Sequence, residues 1–395
     1  MKVSVLVLFS IPLLLASCRT RLTPLPPENQ RTYRSLLEWS HKNGMPGAIL
    51  LVRTPKGEFI EAVGEADFKR HIPMRTNHAF QIGSVTKSFL GVLAAQMHAE
   101  SKLDLDASIT NTLPKEITKR FPHSDRITLR QMLEHTAGLT DINSFQRMLD
   151  RGFLDRRGQY SVSRELAYAF DKSAQFSPGE GWSYSNTGYL LAGRIIDHAA
   201  DQHHALEIRK RILDPLGLTN TWYEGLESPR GEVAHGYEDL FNWWRTDTTD
   251  WTPATGGSAG LSSTVSDLAT FIRAIFRDEK FLSETARREV FEGWSKDKKF
   301  YFVGLNRKRP NPDAPWFVGH SGGTSGYHCF VFYQPERDIT IVYFGSSSLL
   351  KVRGLDELLG EYYDTLRNAL FEQALKETEG AGDERPRVSN DITNQ

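Results

Sequence analysis

The residues with the greatest capacity for chemistry fall into three short groups: Ser84-Val85-Thr86-Lys87, Tyr184-Ser185-Asn186 and His320-Ser321-Gly322-Gly323. A serine and a lysine three apart share one face of a helix, so the amine can reach the hydroxyl. Burial lowers a lysine pKa, and a neutral amine can accept the serine proton, while a helix N-terminus favours negative charge on an attacked carbonyl oxygen. The competing reading makes Ser84 a helix cap and Lys87 a snorkelling side chain. Tyr184 and Asn186, two apart on an extended turn, can point into one cleft. There Tyr184 can relay a proton to a leaving group, and the Asn186 amide can bond Lys87 or a substrate carbonyl. Gly322 and Gly323 let a substrate backbone approach a strand edge, with the Gly323 amide as second oxyanion donor beside that of Ser84. The alternative there is a glycine-rich hairpin with His320 on its rim.

Spacing alone does not single out Ser84, because S-x-x-K also occurs at Ser295 to Lys298 and Ser348 to Lys351. Ser295 lies in a polar, lysine-rich run and Ser348 follows a Gly-Ser-Ser turn, so both read as solvated surface. Ser84 instead follows the strand-like stretch Ala79 to Ile82 and opens Phe89 to Ala95, apolar on all sides as a buried helix is.

The elements that must position these groups can be read from periodicity. A helix is expected over about Thr32 to Lys42, and Gly47 to Thr54 with Glu58 to Val63 read as a hairpin. From about Ser84 to Ser266 the pattern is mostly helical, including Thr128 to His135, Ser163 to Asp171, Asn186 to Ala200 and Ala205 to Leu213. Strand character returns at Phe300 to Leu305, Trp316 to Gly319, Tyr327 to Tyr333 and Ile339 to Phe344. Strands at both sequence ends around a helical middle imply one antiparallel sheet assembled from both ends. Leu355, Leu358, Leu359, Tyr362, Leu366 and Leu370 mark the apolar stripe of a terminal helix that could cover a face of that sheet.

The 395 residues include 48 basic and 49 acidic ones, a formal net charge of −1, so no overall field favours nucleic acid. Residues 1–18 read as a secretory signal: Lys2, the apolar run Val3 to Leu15, then small residues. The run is short for a bilayer span of about 20 residues. Its end, Leu15-Ala16-Ser17-Cys18, resembles the bacterial lipobox, which implies lipid on Cys18, attachment to a bilayer and residence at the cell envelope. Residues 19–30, with three prolines, read as a tether, and residues 377–395 as a polar, disordered tail. With Cys18 lipidated, Cys329 has no intramolecular partner and reads as a buried small hydrophobe.

The three groups, in this order and at this wide spacing, resemble the active-site motifs of the serine β-lactamase and DD-peptidase superfamily. Leu129 to Leu139, Phe176 to Gly179, Tyr189 to Gly193 and Ala259 to Ser263 are similar to segments of its class C β-lactamase-related branch. The resemblance covers about residues 31 to 372. It implies an α+β fold of the β-lactamase/transpeptidase type, an antiparallel sheet flanked by terminal helices plus an all-helical lobe. It also implies acylation of Ser84 and acyl transfer to water or an amine, with no metal or organic cofactor. Lys87 and Tyr184 would share the acid–base work, and which of them is the base is disputed in this family. Asn186, His320, Ser321, Gly322 and Gly323 would bind substrate or its oxyanion.

One departure bears on substrate. His320 stands where class A and class C β-lactamases have the lysine of K-T-G, and resembles the H-x-G of certain DD-carboxypeptidases and D-aminopeptidases. The expected activity is a DD-carboxypeptidase, D-amino-acid peptidase or related amidase acting on cell-wall peptide. A carboxylesterase or β-lactamase of the same fold, and a non-catalytic binding or sensor module, are the alternatives. Gly236 to Thr255, with Tyr237, Trp243, Trp244 and Trp251, reads equally as a substrate-facing wall or as packing.

Overall fold

A computed structural model describes residues 22–143, 147, 161–240, 244–251, 256–296, 300–349 and 356–379. Residues 1–18 with Cys18, the tail beyond residue 379, Trp243, Lys298 and Lys351 lie outside the described residues.

The chain enters through helix α1 (Tyr33–Lys42), capped by Thr32, whose hydroxyl accepts from Ser35 N. Strands β1 (Gly47–Thr54) and β2 (Gly57–Asp67) form the expected hairpin, with a short β3 (Ile72–Pro73). Helices α2 (Thr86–Ala99), α3 (Leu129–Leu133), α4 (Asn186–Ala200), α5 (His204–Ile208) and α6 (Val265–Arg277) follow. Strands β4 (Asn306–Lys308), β5 (Phe317–Thr324), β6 (Tyr327–Gln334) and β7 (Ile339–Gly345) then lead to helix α7 (Asp356–Glu377). The sheet order is β3-β2-β1-β7-β6-β5-β4, antiparallel throughout, so β1 from one end of the sequence pairs with β7 from the other.

The central strands are mostly apolar because both faces are covered. Ala48, Leu50, Val52, Phe330, Phe332, Ile341 and Tyr343 pack under α1 and α7, against Leu36, Leu37, Tyr362, Leu366 and Leu370. Ile49, Leu51, Cys329, Val331, Val342 and Phe344 face the other way, into the core built on α2 and α6. This is an α+β fold with an antiparallel sheet flanked by its terminal helices and a helical region on its other face.

The apolar run Phe300 to Leu305 is not the expected strand. Tyr301 makes a single bridge to Asn306, and Phe302, Val303 and Leu305 are buried in the core as a packed loop, so the pairing begins only at β4. Burial, not a ladder, accounts for that run. The motif His320 to Gly323 lies inside β5, paired residue for residue with Val331 to His328, and not at a strand end. Ala205 to Leu213 divides into α5 and one π turn, Arg209–Leu213. From Leu22 onward the stretch expected as a tether is docked: Thr23 N donates to Asn43 Oδ1 and Trp39 Nε1 to Thr23 O, both at 2.8 Å. In the segment of unknown role, Tyr237 is buried and its hydroxyl accepts from Phe68 N, which is packing.

Candidate active site

The strand Phe80–Gln81 delivers the chain into a 3-10 turn, Gly83–Val85, which runs directly into α2. Ser84 therefore sits just ahead of the first turn of a buried helix. Its hydroxyl is not a cap: neither the turn nor α2 has a side-chain cap bond. The turn is pressed against β5. A Cβ on Gly322 would stand 1.9 Å from the Ile82 carbonyl, and one on Gly83, whose φ is +49°, would stand 2.8 Å from Gly323 N. Glycine at these positions brings the Gly323 backbone beside the turn that carries Ser84.

Lys87 is fully buried, and its Nζ donates to Ser84 Oγ at 3.0 Å, Asn186 Oδ1 at 2.8 Å and the Ser258 carbonyl at 2.6 Å. Burial pulls its pKa down to about 7, against the opposing pull of the Asp141 carboxylate. A large amine fraction thus exists at neutral pH. The same Nζ lies 5.0 and 5.2 Å from the ring centroids of Tyr184 and Tyr189.

Tyr184 donates to Ser84 Oγ at 2.9 Å. Burial holds its phenol well above the ordinary range, so it keeps its proton. The turn that carries it is fixed from both sides. Ser185 N donates to His135 Nδ1 at 3.1 Å, Asn186 N to Asp141 Oδ1 at 2.9 Å and Asn186 Nδ2 to Asp141 Oδ2 at 3.1 Å. Asp141 thereby orients the Asn186 amide so that its oxygen faces Lys87. His135 is buried, and burial with the nearby Lys87 and His320 keeps it neutral.

His320 is not on a rim. It is 3% exposed, its Nδ1 faces the Ser321 carbonyl at 2.5 Å and its Nε2 the Tyr301 hydroxyl at 2.9 Å. The carbonyl can only accept, so Nδ1 carries the proton and Nε2 accepts from Tyr301. Burial, then the Lys87 charge, push the ring down to about 3. It is therefore neutral throughout the physiological range. Beside it, Trp182 and Phe300 are 41% and 44% exposed with ring centroids 4.5 Å apart, and Trp182 also meets Tyr301.

The structure thus brings Ser84, Lys87, Tyr184 and Asn186 into direct contact, with Gly322 and Gly323 alongside and His320 behind Tyr301. Sequence reasoning did not single out Asp141, Ser258, His135 or Tyr301. Ser258 acts through its carbonyl, which residue type cannot reveal. Asp141 lies 45 residues from its partner in the chain, with no motif linking them. His135 lies within the family-like segment Leu129 to Leu139, where its type alone assigns it no role.

Residues 30–357 match the β-lactamase family. Penicillin-binding protein 4* of Bacillus subtilis (strain 168) is 25% identical over 331 residues, 77% of this chain and 69% of its own length. Protein flp of Staphylococcus aureus (strain N315) is 24% identical over 350 residues, 81% and 64% respectively. The chain spans about two thirds of the length of these relatives. The structure of D-amino acid amidase from Ochrobactrum anthropi SV3 complexed with D-phenylalanine superposes with a TM-score of 0.73 at 25% identity, covering 85% of this chain and 96% of that one. The chain belongs to the β-lactamase family of serine hydrolases.

Proposed function

We propose that this protein is an amidase or peptidase for D-aminoacyl substrates that works through an acyl-enzyme on Ser84. The observation that carries the reading is the convergence of a buried Lys87 amine and a protonated Tyr184 hydroxyl on one Ser84 oxygen. Lys87, as the neutral amine, takes the Ser84 proton as Oγ attacks the substrate carbonyl carbon. The amides of Ser84 and Gly323 receive the oxyanion. Tyr184 protonates the leaving amine as the C–N bond breaks, and water then releases the acid by the reverse sequence. Asn186 and the Ser258 carbonyl hold the Lys87 amine in line.

The D-aminoacyl class rests on the likeness to D-amino acid amidase. It rests also on the neutral His320, which supplies no fixed charge for the terminal carboxylate of a carboxypeptidase or β-lactam substrate. The same neutrality favours an ester as a second substrate class. The exposed Trp182–Phe300 pair offers apolar contact to the substrate side chain. We place the enzyme at the cell envelope through lipid on Cys18, a reading that rests on residues 1–18 of the sequence.

The test is intact-mass analysis after incubation with D-phenylalaninamide, a D-Ala-D-Ala peptide, a penicillin and a short-chain aryl ester. Turnover of the amide, lost in Ser84→Ala with the fold retained, supports the reading. Turnover of the ester alone replaces it with an esterase, and activity in Ser84→Ala removes the nucleophile. Membrane fractionation of wild type against Cys18→Ser tests the location, and a mature chain with an unmodified Cys18 refutes it.

A further inference from the structure

The Ser258 carbonyl that receives Lys87 belongs to the glycine-rich loop Gly256-Gly257-Ser258-Ala259-Gly260. Its three glycines have φ of +88°, +95° and +128°, a conformation that other residues rarely adopt. Such a loop needs an external hold to keep one carbonyl at 2.6 Å from an amine.

Tyr223 supplies it. The buried Tyr223 oxygen accepts from Gly256 N at 3.2 Å and Gly257 N at 3.1 Å. With those two bonds accepted, the phenolic proton is directed to His204 Nε2 at 2.8 Å, the Ala259 carbonyl being farther away at 3.3 Å. His204 is itself buried, and its Nδ1 faces Asp197 Oδ1 at 2.8 Å. A carboxylate only accepts, so Nδ1 carries a proton, and with Tyr223 as the donor Nε2 presents its lone pair to it. Every bond then runs one way, from the glycine amides through Tyr223 and His204 to Asp197, an arrangement in which each bond polarises the next. The loop's other end is tied to the nucleophile turn. Tyr223 pairs with Leu261, Leu261 N donates to Thr86 Oγ1 at 3.2 Å, and Ile82 N donates to Leu261 O at 2.9 Å.

We propose that Asp197, His204 and Tyr223 form a buried positioning relay that fixes the Ser258 carbonyl, and through it the Lys87 amine, against the nucleophile. Asp197, His203 and His204 together also offer three possible metal-ligand atoms within 4.8 Å. Both His204 ring nitrogens are already committed in the relay, and His203 Nδ1 accepts from Ala205 N, so positioning is the use this geometry supports.

The relay rests on the reading of Lys87 as the base. Its test is the pH profile of kcat and KM for p-nitrophenyl acetate from about pH 5 to 9 in wild type, Tyr223→Phe and Asp197→Asn. The groups facing Lys87 are Ser84, Asn186 and the rings of Tyr184 and Tyr189, with the Asp141 charge and the neutral His135 and His320 nearby. None is altered in these variants, so a moved acid limb reports the Ser258 carbonyl.

Losing that acceptor disfavours the ammonium form. The limb should therefore move to lower pH by about half a unit or more, while kcat falls about tenfold with KM nearly unchanged. His204→Gln, which can still accept from Tyr223, should retain more of the wild-type profile than His204→Ala. Where Tyr223→Phe fails to fold, the His204→Gln and His204→Ala pair decides, because only the first keeps an acceptor for the Tyr223 hydroxyl. An acid limb unmoved in every folded variant overturns the relay. Failure of the underlying reading looks different: activity would survive Lys87→Ala with its acid limb in place.

Discussion

The Tyr184 hydroxyl donates to Ser84 Oγ at 2.9 Å although the two residues stand 100 positions apart, and Lys87 Nζ reaches the same oxygen from one helical turn away. Two groups of opposite character therefore meet at one Ser84 oxygen. Burial drives the lysine toward its neutral form and the tyrosine away from ionisation, which separates base from acid. With Tyr184 as the acid of the proposed mechanism, Tyr184→Phe should cut amide hydrolysis about a hundredfold or more. Hydrolysis of p-nitrophenyl acetate should fall much less, since p-nitrophenolate leaves without a proton. Equal losses on both substrates, measured by steady-state kinetics, would show that Tyr184 does not protonate the leaving group.

The Lys87 amine should also affect the stability of the fold. Its folded pKa of about 7 lies below the unfolded value of about 10.4, so the unfolded chain binds more protons between those limits. The lysine's contribution to stability is then at its best above the unfolded pKa and declines as pH falls through the window, by on the order of 1.4 kcal/mol for each pH unit crossed. Urea unfolding of wild type against Lys87→Met at pH 7 and pH 10 should show wild type losing ground to the variant at the lower pH. Parallel pH dependences would contradict the depressed pKa.

Substrate charge should leave the acid limb of the wild-type profile untouched. His320 is pushed down to about 3, so from pH 5 to 9 it remains neutral, and the acid limb expected near pH 7 under the proposed mechanism is that of Lys87. Acylation by a carboxylate-bearing substrate should therefore not rise as pH falls toward 5. In His320→Lys, a cation at this place should raise the rate on the anionic substrate relative to an uncharged ester. A wild-type rate on the anionic substrate that climbs below pH 6.5 would mean that His320 does titrate.

Gly322 should tolerate no side chain. The Cβ of Gly322→Ala would stand 1.9 Å from the Ile82 carbonyl and 3.0 Å from Val85 N, both backbone atoms of the nucleophile turn. The strand and the turn must separate, at a cost of about 1–3 kcal/mol or more. Denaturant unfolding should report that loss, and acylation of Ser84 should fall with it. A variant as stable and as reactive as wild type would exclude this close approach.

The sequence by itself determined what local geometry and patterning control. Ser84 and Lys87 meet because three residues of helix bring them together whatever surrounds them. The long, mostly apolar runs from Gly47, Tyr327 and Ile339 are strands because a sheet covered on both faces needs hydrophobes on both sides of each strand. The tertiary structure decided the rest. Phe300 to Leu305 is as apolar as a strand yet packs as a loop, since hydrophobicity specifies burial and not the partner that provides it. His320 reads from its type as a titratable group, and only the Tyr301 hydroxyl and the Lys87 charge around it make it a neutral one. Asp141 and the Ser258 carbonyl join the site through contacts 45 and 171 residues distant in the chain. Such contacts arise from cooperative packing of whole elements, whose outcome no short-range pattern encodes.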